Sequence, residues 1–569
     1  MASEARPAHM ASATPQPQTE AASEKPGPYR PFRMGFLRFL ARAFALFALL
    51  LAILLVALGL LVTAVFAFLG DDGVLQESLA PLFLPWPSSF LRMLPALALA
   101  CAEAALLRVV WRHVRVSPAV LCGVVCAILL VTQLAWVGAV GSQGFGYADT
   151  RYLVAGGEAI ASGDLAPFRE AGLPGFVFEN LRWYPFQAGG CYLFSLFFRP
   201  GAASPYMAFQ VANAVCNTGT AAALFGICRM FTDDERAQRV VCALLLVCLP
   251  LVFSCIFVYG NAMGFFFSVL ASLLLMHALR EGAPHRAAAA VGCCAAIVVG
   301  RVAKSTVTLF LIPLAVVAVM AVVERRSLRA IAGTAALIAV TMLTSSIPVR
   351  ALEAQAGTDF GRGLPTISWI AMGLDYDGRG MPGWWTSEAL VTFEDSGGDY
   401  DTQSTVAKNR IRDDVAHFAS NPKDAARFFG MKLATEWADP TYQSIYYSTC
   451  SEPAPTGAAG AVVRAAAEYD NPLGWHLDAY QLLVYVGFFL YARELFRARD
   501  IGCGELVPVL AILAGAFVYL LWEAKSVYVL PYFMMMVPLA AVGLSGAFER
   551  HARRASGKDR GKAQEEAAR

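Results

Sequence analysis

The stretch GYADTRYLVAGGEAIASGD, Gly146 to Asp164, lies between two apolar runs. With Asp149, Arg151, Glu158 and Asp164 it is too polar to cross a bilayer, yet it has the regularity of a helix. A carboxylate held at such a place takes or gives a proton, and Asp149, at the head of the segment, is the candidate. Its plainer role is to pair with Arg151 or to cap a helix that begins at Thr150. Four cations, Arg182, Arg301, Lys304 and Lys525, stand at the ends of apolar runs, where positive charge is costly and often functional. Each serves equally well by reaching to lipid headgroups. Asp375 and Asp377, in a later polar region, and Tyr528, beside Lys525, are further candidates for a second acid or an acceptor contact. Trp384 and Trp385 read as an interfacial anchor. No His pair, Cys cluster, phosphate-binding glycine loop or Ser-x-His arrangement occurs, so no metal ligands are assigned.

The elements that must position these residues are membrane helices. Of 569 residues, 57% are hydrophobic and 15% charged, and the mean hydropathy is +0.53. Soluble domains carry about a quarter charged residues. The net charge of +2 predicts no nucleic-acid partner. The 13 cysteines are scattered through apolar runs with no metal or disulfide spacing, and a bridge between Cys191 and Cys450 is not expected. A spanning helix needs about 20 apolar residues. Twelve runs qualify or nearly so: 44–69, 91–110, 117–140, 205–230, 238–257, 262–280, 286–302, 304–323, 328–348, 478–493, 505–522 and 526–547.

Basic residues then set the orientation. Arg30, Arg33, Arg38 and Arg42 precede the first run, which predicts a cytoplasmic N-terminus. Alternation from there puts Arg108 to Arg115, Arg229 to Arg239, Arg325 to Arg329 and Arg493 to Arg499 inside as well, with the tail beyond Arg550. The apolar stretch Tyr184 to Phe198 is short and breaks the alternation if counted, so it reads as an interfacial helix. The expected fold is an all-α polytopic membrane protein of about 12 helices with two extracytoplasmic loop regions. The first, 141–204, is juxtamembrane and helical; the second, 349–477, is larger and mixed. Residues 1–34 and 551–569 read as cytoplasmic tails, the first of them disordered. In 432–444 a helix is expected to end at Pro440, with Glu436 and Asp439 structural.

The order of motifs carries a resemblance. ADTRYLVAGGEAIASGDL follows a span, then RWYPFQAGGCYLFSLFF, then FVYGNAMGFFF, then RVAKSTVTLFLIPL, and late in the chain WEAKSVYVLPYFMMMVPL. Over about 117–550 this resembles the polyprenol-phosphate-sugar-dependent glycosyltransferases of the C-type superfamily (GT-C), in particular the protein-mannosyltransferase-like and aminoarabinose-transferase-like branches. The family's paired acids become Ala148 and Asp149; its Tyr-x-Asp loop ends in Asn261; Val527 stands where Arg is common; one proline is missing after Pro185. The resemblance implies 117–348 as a transferase core, 478–550 as its closing helices, and 35–116 as an extra N-terminal hairpin. It also implies a polyprenyl-phosphate sugar donor and an envelope glycan, lipid or protein as acceptor. Asp149 would then be the general base, and Lys304, Arg301, Lys525 and Arg182 the cations on the leaving lipid phosphate. The cofactor stays open: a divalent metal is compatible with the family, and none is required by these residues.

The rival class is a transporter or flippase of lipid-linked saccharides, and a third reading is an envelope-assembly scaffold. Transporters place polar groups near the midplane in repeated halves. No internal repeat is visible here, and the polar residues gather in the two loop regions.

Overall fold

A computed structural model describes residue 29 and residues 31–69, 74–83, 88–198, 204–344, 346–376, 381–468 and 470–567. In chain order, α1 (Gly35–Leu61) leads into strands β1 (Val62–Leu69) and β2 (Val74–Phe83), then α2 (Ser88–His113) and α3 (Pro118–Val140). A first loop region carries β3 (Gly144–Phe145), α4 (Ala148–Ser162), α5 (Val177–Trp183) and α6 (Ala188–Ser195). The bundle continues with α7 (Pro205–Phe231), α8 (Glu235–Leu246), α9 (Leu249–Phe253), α10 (Asn261–Leu279), α11 (Arg286–Ala303), α12 (Thr308–Arg325) and α13 (Leu328–Thr344). A second loop region holds α14 (Ile347–Ala356), α15 (Ile367–Leu374), α16 (Glu388–Asp395), α17 (Tyr400–Ser420), α18 (Pro422–Trp437), α19 (Tyr446–Thr449), β4 (Ser451–Glu452) and α20 (Gly457–Ala467). Three long helices close the chain: α21 (Pro472–Arg497), α22 (Leu506–Leu521) and α23 (Ser526–Ala567).

Ten helices among the described residues are long and apolar enough to cross a membrane, and α8 with α9 forms a bent pair that makes an eleventh. The chain is thus a helical, multi-pass membrane protein. Their burial differs: 28% of the span window in α1 is buried, against 83% in α23, which therefore lies at the centre of the bundle. Helix α21 packs against α1, α2 and α23. It carries His476, Asp478, Arg493 and Glu494 and falls outside the set of strongly apolar spans.

Several readings from the sequence are revised. The first apolar run was expected to be helical to residue 69. The helix ends at Leu61, and Val62–Leu69 is a strand paired antiparallel with Val74–Phe83. The segment VTAVFAFL is rich in β-branched and aromatic residues, which favour a pleated strand, while hydropathy alone does not separate the two. The span expected at 238–257 bends by 53° at its break. Asn217, in the middle of α7, donates to the Leu251 carbonyl at 2.9 Å beyond that break, and to Gln133 at 3.1 Å and Ser254 at 3.0 Å. Polar backbone inside a bilayer must find such internal partners. Tyr184–Phe198 is not one interfacial helix. It breaks into a turn and the short α6, whose Gly189, Gly190 and Cys191 are buried beneath α4 and the end of α11.

Residues 1–28 and 30 of the expected tail lie outside the described residues. Tyr29 and Phe32, both 3% exposed, pack at the other end of the bundle, where Pro31 bridges to Gly502 and the Arg33 amide donates to Glu324 at 2.9 Å. At the far terminus α23 runs on to Ala567. All 13 cysteines are free, Cys191 and Cys450 included.

The two loop regions meet at one end of the bundle. Strand β3 pairs with β4, and the β1–β2 hairpin is wedged beside them on an apolar cluster of Phe66, Leu79, Phe253, Ile445, Val463 and Leu477.

Candidate active site

At this loop-bearing end, α4 starts with Asp149 in its first turn, a favourable place for a carboxylate against the helix dipole. The helix stops at Gly163, which takes the left-handed conformation at φ 78°. Its glycine pair explains how it seats: a Cβ on Gly157 would stand 2.6 Å from the Phe194 Cβ, so α6 can approach this closely only here. Thr150, fully buried, donates to the Val258 carbonyl at 2.6 Å and locks the head of α4 to the turn between α9 and α10. Asn213 holds the same turn through the Phe257 carbonyl at 2.8 Å.

That turn presents Tyr259. Its hydroxyl donates to Asp149 Oδ2 at 3.0 Å. The face of its ring lies 3.5 Å from Lys304 Nζ, a close cation–π contact. Gly260 makes this possible: a Cβ there would overlap the Ala303 carbonyl, so only glycine lets the turn press against the end of α11. Asp149 thus does not pair with Arg151, which reaches Glu452 at 3.5 Å instead. Oδ1 of Asp149 accepts no hydrogen bond from the described residues, which leaves it open for a proton.

Lys304 and Lys525, alike in sequence, are in opposite states. Lys304 forms no ion pair among the described residues. Burial pushes its ammonium down to about 7; Asp149 and Glu523 pull it back only in part, and the charge of Lys525 opposes them. Its remaining surface faces the cavity that it lines. Lys525, by contrast, lies 2.8 Å from Glu77 Oε1 and 3.7 Å from Glu523 Oε1, with the Tyr147 hydroxyl at 3.4 Å. Burial works against its charge, but Glu77, Tyr528 and Glu523 outweigh it and hold the ammonium well above its ordinary range. The Glu523 carboxyl is pushed up by burial while Lys525 pulls it down, and Tyr528 donates to its Oε2 at 3.3 Å.

A buried carboxylate organises the floor of the site. Asp439 accepts from the Thr441 amide at 2.9 Å, the Thr441 hydroxyl at 2.7 Å, the Gln443 amide at 2.7 Å and the Ser526 hydroxyl at 2.7 Å. The turn forces Tyr442 and Gln443 to φ 50° and 55°. Gln443 then donates to the Glu77 carbonyl at 3.1 Å and accepts from the Val527 amide at 3.3 Å. One residue therefore fixes both halves of the Glu77–Lys525 pair. Helix α18 ends at Trp437, ahead of Pro440, and Asp439 is structural, as the sequence predicts.

From Lys304 a cavity enters the bundle between α7, α10, α12, α22 and α23, with about 700 Å³ of non-atom space counted with its open mouth. Tyr447, Ser444 and Thr306 rim it; Phe265, Val307 and Phe310 form an apolar wall; Tyr528 and Tyr532 face across. Ser268, which also lines it, is seven residues into α10, about 10 Å along the helix.

The other predicted residues lie elsewhere. The Arg301 guanidinium donates to the Thr341 carbonyl at 3.0 Å on α13, since its place on α11 turns it away from α10. Arg182 sits over the rings of Phe178 at 5.9 Å and Phe393 at 5.3 Å. Asp375 ends α15 and does not line the cavity; its neighbour Tyr376 packs on His417 of α17. Asp377 lies outside the described residues. Tyr528 is in the site. Glu77, Glu523, Tyr147 and Tyr259 were missed. Glu523 stands two residues before Lys525 in sequence, which is a signal; Glu77, in a segment read as a short loop, gave none.

Among the described residues no three His, Cys, Asp or Glu side chains converge to hold a metal ion, and no step below is routed through one. No protein-family model matches this chain, and no curated protein matches it.

Proposed function

We propose that this protein is a membrane glycosyltransferase of the GT-C type, moving a sugar from a polyprenyl-phosphate donor to a cell-envelope acceptor at the outer face of the membrane. The observation that carries this reading is Lys304: a half-buried ammonium with no ion-pair partner among the described residues, at the mouth of an apolar-walled slot and joined through Tyr259 to Asp149. An amphiphile with an anionic head and an apolar tail fits such a site. The loop-bearing end is the outer end in this reading. The bent pair and α21, added to the ten apolar helices, complete twelve crossings and leave both termini in the cytoplasm, as the basic residues require.

In the reaction, the acceptor hydroxyl oxygen forms a bond to the anomeric carbon of the sugar. The bond from that carbon to the phosphate oxygen breaks, and its electron pair leaves with the lipid phosphate. Asp149 Oδ1 takes the hydroxyl proton, while Tyr259 keeps Oδ2 occupied and the carboxylate oriented. Lys304 meets the charge that grows on the phosphate, in a place too dry for water to screen it.

The test is sugar transfer by purified protein in nanodiscs. Asp149→Asn keeps the shape of the carboxylate without its basicity and is expected to lose about 10²–10⁴ in turnover with donor binding retained. Turnover within a few-fold of the parent would move the base elsewhere. A second reading, transport of a lipid-linked saccharide, draws on the polar deep end of the slot at Asn217 and Ser268. Movement of the donor across proteoliposomes without any transfer to acceptor would favour it.

A further inference from the structure

The cation that the site withholds is as informative as the one it offers. Lys525 is 8% exposed by its side chain and is held between Glu77 on one side and Glu523 on the other. Glu523 is its neighbour in the same turn. Glu77 comes from strand β2, 448 positions earlier in the chain. It is aimed by three independent anchors. The Gln443 side chain grips its carbonyl, β1 pairs beside it with Phe66 opposite Leu79, and the Ala64 amide donates to the Ala438 carbonyl at 2.8 Å. The Tyr147 hydroxyl, next to Asp149 in sequence, donates to the same Glu77 oxygen at 3.4 Å. A hairpin whose only task was packing would have no need to deliver a carboxylate to the buried Lys525 ammonium.

We propose that Glu77 is a counter-ion that withholds Lys525 from the bound phosphate, so that the site grips its anion through Lys304 alone and lets the spent lipid phosphate go. This rests on the functional reading above and deepens it. The chemistry gives the reason. The sugar donor is a phosphodiester with one negative charge. The product lipid phosphate is a monoester, which carries about −1.5 to −2 at neutral pH. Two free cations would therefore hold product more tightly than donor and slow each turnover. A fixed carboxylate beside the second cation cancels it, and repels the doubly charged product more than the singly charged donor. On this view the N-terminal helix and hairpin are a working part of the site and set its preference between donor and product.

The experiment measures binding of a polyprenyl monophosphate and of a polyprenyl phosphosugar to the full-length protein in nanodiscs. Glu77→Gln is expected to tighten the monophosphate by roughly tenfold, the usual effect of one nearby charge, and the phosphosugar by less. The gain should vanish in the double variant with Lys525→Met. Lys525→Met alone leaves Glu77 and Glu523 without their cation and should weaken binding of both lipids, the monophosphate more than the phosphosugar, a second readout should the Glu77 variant fail to fold. Unchanged or weaker monophosphate binding by folded Glu77→Gln would overturn the proposal, as would unchanged monophosphate binding in folded Lys525→Met. A parent that binds neither lipid would overturn the functional reading and this one together; a parent that binds both, with no response at Glu77, would overturn this one alone.

Discussion

If Lys304 is the phosphate-binding cation, donor affinity must follow its protonation. Burial holds this ammonium at about 7, against an ordinary 10.5. Burial outweighs the partial compensation that Asp149 and Glu523 provide. An arriving phosphate supplies the missing counter-charge and raises the pKa in the complex. Below about 7 the free protein already carries the proton, and affinity is flat. Above it, binding must draw a proton from solvent, and affinity falls by about tenfold per pH unit until the pKa of the complex is passed. The probe should be a polyprenyl phosphosugar, because its diester keeps one charge across the range. Binding to nanodisc-embedded protein, followed by microscale thermophoresis from about pH 6 to about pH 9, should weaken by up to roughly a hundredfold. Lys304→Arg retains a charge that does not titrate here, so its affinity should be nearly level over the same range. A flat parent profile, or an undiminished slope in Lys304→Arg, would refute the assignment of the titrating group.

Three further outcomes are expected. Tyr259→Phe keeps the ring under Lys304 but loses the hydroxyl that holds Asp149; turnover should drop by about ten- to a hundredfold, less than for loss of the base itself, while the pH slope of donor binding stays as in the parent. Gly260→Ala forces a Cβ into the Ala303 carbonyl and should lower stability by about 1–3 kcal/mol, read as a lower thermal midpoint in detergent; an unchanged midpoint would mean that the α10–α11 contact is looser than described. Cysteines introduced in the loop regions near 170 and 400 should react with an impermeant reagent in intact cells, whereas those near 235 and 497 should not; the reverse pattern would invert the proposed orientation.

The bundle was largely legible because a span is a statement about composition, and the apolar runs have little alternative use. What composition cannot register is where a run stops being helical. Val62–Leu69 is as apolar as the helix before it, and only its β-branched and aromatic content hints at a strand. Asp149 could be picked out by its position at the head of a polar segment after a span. Its partner could not, because Tyr259 reaches it only through a turn set by Thr150, Asn213 and Gly260. Lys304 and Lys525 illustrate the same limit. Each stands just ahead of a span, yet one is paired twice and the other not at all, and the difference lies in Glu77, a residue from a distant strand. Arg301 reaches α13 rather than the cavity for a rotational reason: a helix has several faces, and the sequence does not say which one meets α10.

The tie between Glu77 and Lys525 spans nearly the whole chain and has a bearing on biogenesis. Helix α1 and the hairpin leave the ribosome well before α21 and α23, against which the early helices and Lys525 are set. Strand β2 can pair with β1 at once, but until α23 emerges its Glu77 carboxylate lacks the Lys525 cation, and contacts closed over such long separations form late. Domains complete from the N-terminus outward, so a nascent chain of this kind holds an unfinished site through most of its synthesis. A chain truncated before α23 would insert most of its helices and accumulate in the membrane, yet it would lack the second cation and the wall that closes the slot. In the proposed reading, the complete phosphate site would then form only once α23 is in place.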